Sequence, residues 1–262
     1  MLFVPQAAIR LATFLRRNNA YDQEGIFRIA PSQELLRGAL ANFALCTSRS
    51  RVLGEDAAFE TFPEFLDFEL PDSMPNERYA LNNVVASCYK VFFRFMSKRV
   101  FPDDVFSEIR EMGAVTSDGL RDKLPSLLLK IPAPHRFLLR HTLKQLAAVV
   151  ERTEDNRMTS SNVARIFSTG IFQEPDCLQN LGDAQYDNDL QIRVTKILID
   201  EQQHIFDEVD ALVAKSLAQN PRVQLCPDEL LSDCCQDENR WRFYFPEDTH
   251  VLNRYAGACD PS

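Results

Sequence analysis

Arg28 is the residue whose type and setting most clearly suggest chemistry in this chain. It follows the apolar pair Ile26 and Phe27 and precedes Pro31 and Ser32, after which a helical pattern resumes. Ser32 is a good helix N-cap, so we expect Arg28 to lie in a short loop with both ends anchored by packed elements. A guanidinium keeps its proton and donates several hydrogen bonds in a planar fork. The segment predicts an arginine presented to a partner, with a surface ion pair as the plainer alternative.

A second polar set lies on a helix predicted from Leu81 to Phe95. Apolar residues recur on one face of this helix, and on the other face polar residues follow at i, i+4, i+7 and i+11, namely Asn83, Ser87, Lys90 and Arg94. The two basic residues of this polar stripe are one turn apart, which slightly destabilises an isolated helix. The stripe predicts either a docking face or an ordinary solvated surface.

Composition excludes several classes of function. The chain has 262 residues and a formal net charge of −9, which disfavours nucleic-acid binding because that function needs a basic surface. Its eight glycines form no phosphate-cradling motif, so we expect no nucleotide site built from its own loops. The seven cysteines lack zinc-site spacing and predict reduced thiols. These cysteines predict a cytoplasmic protein without a bound metal. No apolar run approaches the ~20 residues that span a bilayer, so we also expect no membrane insertion.

The dominant period of the chain is helical. Apolar stripes at helical spacing recur along its length, whereas strand alternation is lacking, so we predict an all-α fold of about eight to nine helices. Residues 46–78 lose the period and indicate a long acidic insert. Residues 208–262 are predicted to hold a helix end and an acidic tail, whose aromatic cluster at 241–245 would dock on the domain or on a partner.

For two of the helices expected in the second half of the chain, the sequence also indicates where they begin or end. The helix through Val163 and Phe167 is expected to be capped by Ser160 or Ser161, because serine oxygens accept hydrogen bonds from first-turn amides. A single last helix is expected over about 189–213, where the apolar period is continuous.

Three segments, in the same order along the chain, resemble blocks of Rho GTPase-activating (RhoGAP) domains. Residues 24–32 resemble the arginine-finger loop of that family, and residues 84–94 resemble its helix Val-x-Val-Ala-Ser-x-x-Lys-x-Phe-x-Arg. Residues 156–167 resemble its block Asn-Lys-Met-Thr-x-x-Asn-Leu-Ala-x-x-Phe. With weaker similarity at both ends, the resemblance predicts a RhoGAP-like domain over residues 4–207.

The resemblance implies a helical domain that docks on a GTP-bound Rho-family small GTPase (Rho-, Rac- or Cdc42-like) and accelerates its GTP hydrolysis. The GTPase supplies the nucleotide, Mg²⁺ and the glutamine that orients water, so the domain needs no cofactor and is not an enzyme by itself. Arg28 matches the inserted catalytic arginine, which neutralises charge that develops in phosphoryl transfer. Lys90 and Arg94 match the basic pair that supports the finger loop and contacts the GTPase. Asn162 matches the polar interface residue.

The chain departs from the family pattern at two turns. Residues 96–100 read Met-Ser-Lys-Arg-Val in place of Leu-Pro-Glu-Pro-Leu, and without the two prolines this turn is expected to be less rigid. Residues 168–170 read Ser-Thr-Gly in place of Gly-Pro-Asn, so this loop is expected to be altered as an interface element.

Within the basic pair, we expect Lys90 to be exposed and to contact the GTPase, and Arg94 to act on the finger loop.

Two other functions remain as alternatives. The first is a catalytically degenerate RhoGAP-like module that binds a GTPase or another protein without accelerating hydrolysis. The second is a self-contained enzyme, for which a histidine would have to be the general base, but no nucleophile or paired-carboxylate motif accompanies the four candidates, His135, His141, His204 and His250. The first two of these are expected to be core or surface histidines.

Overall fold

The described part of the chain is helical, as predicted. The structure, a computed structural model, describes residues 6–40, 75–94, 96, 99–113, 115–172 and 181–219. These residues form α1 (Gln6–Arg17), α2 (residues 33–40), α3 (Pro75–Arg94), α4 (Asp103–Glu111), α5 (Ser117–Leu128), α6 (Ala133–Val150), α7 (Thr153–Asn156), α8 (Ser160–Ile171), α9 (Leu181–Asp200) and α10 (Gln202–Gln219), with a 3-10 turn at Ala20–Asp22. The all-α prediction is confirmed. The C-terminal tail after residue 219 and most of the predicted insert lie outside the described residues.

The described residues fall into two compact units. The N-terminal unit comprises residues 6–40, 75–94 and 151–158, and the C-terminal unit comprises the described residues of 96–150 and 159–219. In the N-terminal unit α1 packs on α3, and in the C-terminal unit α9 packs on α8 and α6 while α10 packs on α5 and α6. Each unit buries apolar helix faces at helical spacing, such as Leu11 and Leu15 of α1.

Three helix N-termini in the described part of the chain are capped by hydroxyl groups, those of Ser32, Thr116 and Thr159, and the last of these was not the expected residue. Ser32 Oγ accepts a hydrogen bond from the amide of Leu35 at 3.3 Å, which confirms the predicted cap. The cap of α8 is Thr159, whose hydroxyl accepts from the amide of Asn162 at 3.3 Å, rather than either of the two serines that follow it. Those serines are already helical, so the side chain one position earlier reaches the first-turn amide.

The limits of two other helices also differ from those predicted. α3 begins at Pro75, inside the predicted insert. Proline is well suited to the first position of a helix, because the amide hydrogen that it lacks would have no partner within the helix there. The single helix predicted over 189–213 is two helices, α9 and α10, which meet at Glu201. The amide of Glu201 still donates to the Ile197 carbonyl at 2.9 Å. Because helical bonding and apolar period both continue there, no sequence signal marks the junction.

Residues 168–170, predicted as an altered loop, form the last turn of α8. Ser168 and Gly170 are buried, and the Ser168 carbonyl accepts from the Phe172 amide at 2.9 Å. The proline of the family pattern would remove a backbone donor at the position of Thr169, so its absence lets the helix continue. In the other divergent turn Met96 and Val100 are buried, whereas Lys98 lies outside the described residues.

Candidate functional site

Arg28 lies in a tight loop of residues 23–29, called the Arg28 loop below. The carbonyl of Gly25 accepts hydrogen bonds from the amides of Arg28 and Ile29, each at 2.9 Å, so the loop closes on itself. Gly25 and Phe27 both have left-handed backbone, with φ of 69° and 66°. The side chain of Arg28 is exposed while that of Phe27 is buried. The loop therefore exposes its guanidinium from an anchored backbone, as the sequence predicts.

Phe27 is held in an unfavourable backbone conformation by two contacts. A bulky residue at positive φ costs about 1–3 kcal/mol and persists only where the surroundings determine it. Its ring packs against that of Tyr89, with 6.3 Å between centroids. Its carbonyl oxygen accepts a hydrogen bond from Lys90 Nζ at 2.6 Å. Both partners are on α3, so this helix determines the backbone of the residue that precedes Arg28.

Lys90 supports the Arg28 loop instead of facing solvent, which corrects the expectation of an exposed docking residue. Burial, and to a smaller extent the nearby charge of Arg94, lower the pKa of its ammonium group to about 8. A desolvated ammonium needs a good acceptor, and the Phe27 carbonyl provides one. Arg94 is exposed at the last residue of α3. Of the predicted basic pair, Lys90 thus bonds to the loop, and the predicted role of Arg94 stays a prediction.

The first two residues of the polar stripe on α3 are not part of a solvated face. Asn83 and Ser87 are buried. Asn83 Oδ1 accepts from Gln23 Nε2 at 3.0 Å, and Asn82 Nδ2 donates to Gln23 Oε1 at 3.0 Å. Gln23 therefore ties the start of the Arg28 loop to α3 through both ends of its amide. Sequence reasoning missed Gln23, which stands just before the recognised motif.

A second missed residue, Asn156, holds the other side of the loop. Its backbone carbonyl accepts from the amide of Gly25 at 2.8 Å, and its Nδ2 donates to the Tyr21 carbonyl at 2.7 Å. Its Oδ1 accepts from the amide of Met158 at 2.7 Å, and the side chain is fully buried. Asn156 belongs to the third recognised block, where sequence reasoning singled out only Asn162.

Asn162 belongs to the C-terminal unit. It lies in the first turn of α8, half-buried, and its amide donates to the hydroxyl of Thr159. The cap therefore fixes the helix start that carries Asn162, while its role at an interface stays a prediction.

A RhoGAP domain model matches residues 5–176, which is more than half of the chain. The chain belongs to the RhoGAP domain family. Rho-GTPase-activating protein 5 of Schizosaccharomyces pombe is 26% identical over 199 residues, which cover 75% of this chain and 47% of that protein. The chain spans less than half the length of the curated relatives that it matches. The predicted limits of this RhoGAP domain, 4 and 207, stay a prediction.

Solved structures share the fold of this RhoGAP domain. Human Rho GTPase activating protein 15 superposes with a TM-score of 0.58 at 16% identity, covering 78% of this chain and 84% of that one. The BH domain from GRAF, the GTPase regulator associated with focal adhesion kinase, superposes with a TM-score of 0.56 at 16% identity, covering 77% and 93%. At this identity the similarity supports the helical fold and no more.

The described histidines of the RhoGAP domain occupy packing and surface positions. His135 is buried with Nδ1 3.3 Å from the Val100 carbonyl oxygen, and the exposed His204 lies 3.2 Å from the Glu208 carboxylate one turn away. Across the described ranges, no three His, Cys, Asp or Glu side chains are grouped as a metal site would need. None of the helices in the described part of the chain is long and apolar enough to span a membrane.

Proposed function

We propose that this RhoGAP domain accelerates GTP hydrolysis by a Rho-family small GTPase and that Arg28 is the residue it inserts. The observation that supports this most strongly is the setting of Arg28. Its side chain is exposed, while the backbone that precedes it is fixed by Lys90 through Phe27 and by Asn156 through Gly25. The names of the relatives agree with this activity, since they are Rho GTPase-activating proteins.

The chemistry required of Arg28 is electrostatic. In phosphoryl transfer, negative charge spreads over the transferred group and the leaving oxygen, and a guanidinium can donate several hydrogen bonds to these atoms at once. The partner GTPase supplies the nucleotide, Mg²⁺ and the glutamine that orients the attacking water. A loop whose backbone is already ordered loses little conformational entropy when it docks, so more of the binding energy is available to the transition state.

The alternative is a RhoGAP domain that binds a GTPase without accelerating hydrolysis. The observation that favours it is the last turn of α8, because residues 168–170 are helical, with Ser168 and Gly170 buried, where the family pattern has a proline-containing loop. An altered surface there would change docking but leave Arg28 untouched.

The test is single-turnover GTP hydrolysis by a panel of small GTPases, with and without the protein. The wild type is expected to accelerate hydrolysis by at least one Rho-family member. Arg28→Ala is expected to lose about 10³- to 10⁵-fold of this acceleration, and Arg28→Lys is expected to fail as well, since an ammonium cannot reproduce the fork.

The matched control is Arg17→Ala, which removes an exposed arginine from α1 of the same unit and is expected to behave like the wild type. Full acceleration by Arg28→Ala would refute the assignment of Arg28. Binding of a GTP-loaded GTPase without any acceleration would support the alternative.

A further inference from the structure

We propose that Asn156 is a positioning residue for Arg28. This inference rests on the proposed function, because it says how the inserted arginine is held. Asn156 is in α7, far along the chain from the Arg28 loop, yet its backbone and side chain contact two residues around the start of that loop. Asn156 would therefore determine where the guanidinium stands without touching the GTPase.

The contacts form a short path from Asn156 to Arg28. The Asn156 carbonyl accepts from the Gly25 amide at 2.8 Å, and the Gly25 carbonyl in turn accepts from the Arg28 amide at 2.9 Å. One residue, Gly25, thus separates the asparagine from the backbone of the arginine. A displacement of Asn156 would pass directly to that residue.

The side chain of Arg28 also lies over Gly25. A Cβ atom placed on Gly25 would stand 3.5 Å from Arg28 Nη2. The guanidinium therefore lies in van der Waals range of the residue that Asn156 holds. A shift of Gly25 would therefore change both the backbone and the side-chain position of Arg28.

The amide side chain of Asn156 helps to fix its own carbonyl. Nδ2 donates to the Tyr21 carbonyl at 2.7 Å, and Oδ1 accepts from the Met158 amide at 2.7 Å. Asparagine has a donor and an acceptor on one planar group, so it can satisfy two buried backbone atoms that point in different directions. The next residue, Arg157, has φ of 59°, so the chain turns sharply there. The Arg157 amide also donates to the Thr153 carbonyl at 3.0 Å, so loss of the Asn156 side chain would loosen the turn and its carbonyl without removing every bond that holds them.

The test compares two variants in the hydrolysis assay. Asn156→Asp keeps the shape and the acceptor for Met158 but loses the donor to Tyr21, and Asn156→Ala loses both. Misplacement of a catalytic group by about 1 Å costs about 10²-fold in rate, so we expect the maximal rate to fall about 10- to 100-fold. The GTPase concentration for half-maximal effect is expected to change little, because Asn156 contributes no contact to the partner. In an Arg28→Ala background, Asn156→Ala is expected to cause no further loss of rate.

The matched control is Thr195→Val, which removes a fully buried side-chain hydrogen bond from the C-terminal unit. It is expected to lower the melting temperature but to keep the maximal rate. Asn156 variants that fold and retain the wild-type maximal rate would overturn the inference, because a purely structural asparagine would behave like Thr195.

Hydrogen exchange of backbone amides separates this inference from the proposed function. Asn156→Ala is expected to speed exchange at Gly25 and Arg28, and Thr195→Val is not. If the wild type accelerates no GTPase, the proposed function fails. The role of Asn156 in holding the Arg28 loop is then tested by exchange alone, and unchanged exchange in Asn156→Ala would refute that role as well. If neither Asn156 variant folds, the Gly25 amide of the wild type must still be protected, and exchange as fast as that of an exposed amide would overturn the inference.

Discussion

Lys90 Nζ lies 2.6 Å from the carbonyl oxygen of Phe27, so an ammonium group on α3 holds the residue that directly precedes Arg28. This bond satisfies two groups at once. The ammonium is largely removed from water, and the carbonyl belongs to a residue whose positive φ is unfavourable. Because each group needs the other, the contact links the conformation of the Arg28 loop to the charge of one lysine.

Removal of the Lys90 charge is expected to reduce activity more than stability. Lys90→Met keeps the aliphatic part of the side chain and removes both the donor and a desolvated charge. The unpaired Phe27 carbonyl costs about 1–3 kcal/mol of stability, and removal of the desolvated charge offsets part of this cost. We expect a lower maximal rate of stimulated hydrolysis with a melting temperature near that of the wild type. Arg17→Met serves as the control, since Arg17 is an exposed cation on α1 of the same unit. A large loss of stability with normal activity would show that Lys90 is needed only for folding.

The activity is expected to depend on pH through Lys90. Its pKa in the folded protein, about 8, is below the ordinary 10.5, so the folded state loses this proton first. Between these values the unfolded state binds more protons, and the contribution of this group to the free energy of unfolding rises with pH. The charge-assisted bond to Phe27 weakens over the same interval. Stimulated hydrolysis should therefore decline as pH rises through about 8, and this group should cause no loss of stability.

That pH profile is measured for the wild type and for Lys90→Met, each relative to the intrinsic rate of the GTPase at the same pH. The decline is expected to be absent in Lys90→Met. A decline of equal size in both proteins would assign it to another group.

Gly25→Ala is expected to destabilise the protein and to lower the maximal rate. The residue has φ of 69°, and an added Cβ would lie 2.7 Å from Ile29 Cδ1, so either the loop or the isoleucine must shift. The left-handed conformation alone costs a non-glycine residue about 1–2 kcal/mol. Gly38→Ala is the matched control, because nothing lies within 4 Å of its added Cβ and the residue is helical. Gly38→Ala should raise the free energy of unfolding, measured with urea, by about 0.5–1 kcal/mol. Equal stability of the two variants would contradict the strain described at Gly25.

Thr169→Pro is expected to destabilise the C-terminal unit, although it restores the family pattern. Proline in a helix interior removes a hydrogen bond and costs about 3 kcal/mol or more. Thr169→Ala, which keeps the amide, should be nearly neutral by comparison, and both can be measured by thermal unfolding. A wild-type melting temperature for Thr169→Pro would mean that the last turn of α8 does not need its helical bonds.

Local features of the site could be predicted from the sequence, and distant contacts could not. The exposed Arg28 and the Ser32 cap depend on neighbouring residues, and both were predicted correctly. The burial of Lys90 depends on a carbonyl 63 positions away. Polar residues at helical spacing indicate one face of a helix, but they do not show whether solvent or a loop covers that face. The same limit explains why Asn156 was overlooked within a recognised block.

The hydrogen bond from Asn156 to the Tyr21 carbonyl spans 135 positions of the chain. A contact between distant segments costs loop-closure entropy, so it forms more slowly than a local contact. During synthesis, Arg28 leaves the ribosome long before the residues that hold its loop. A nascent or truncated chain that ends before α7 would therefore contain the arginine and Lys90, but not the contacts of Asn156 to Gly25 and Tyr21.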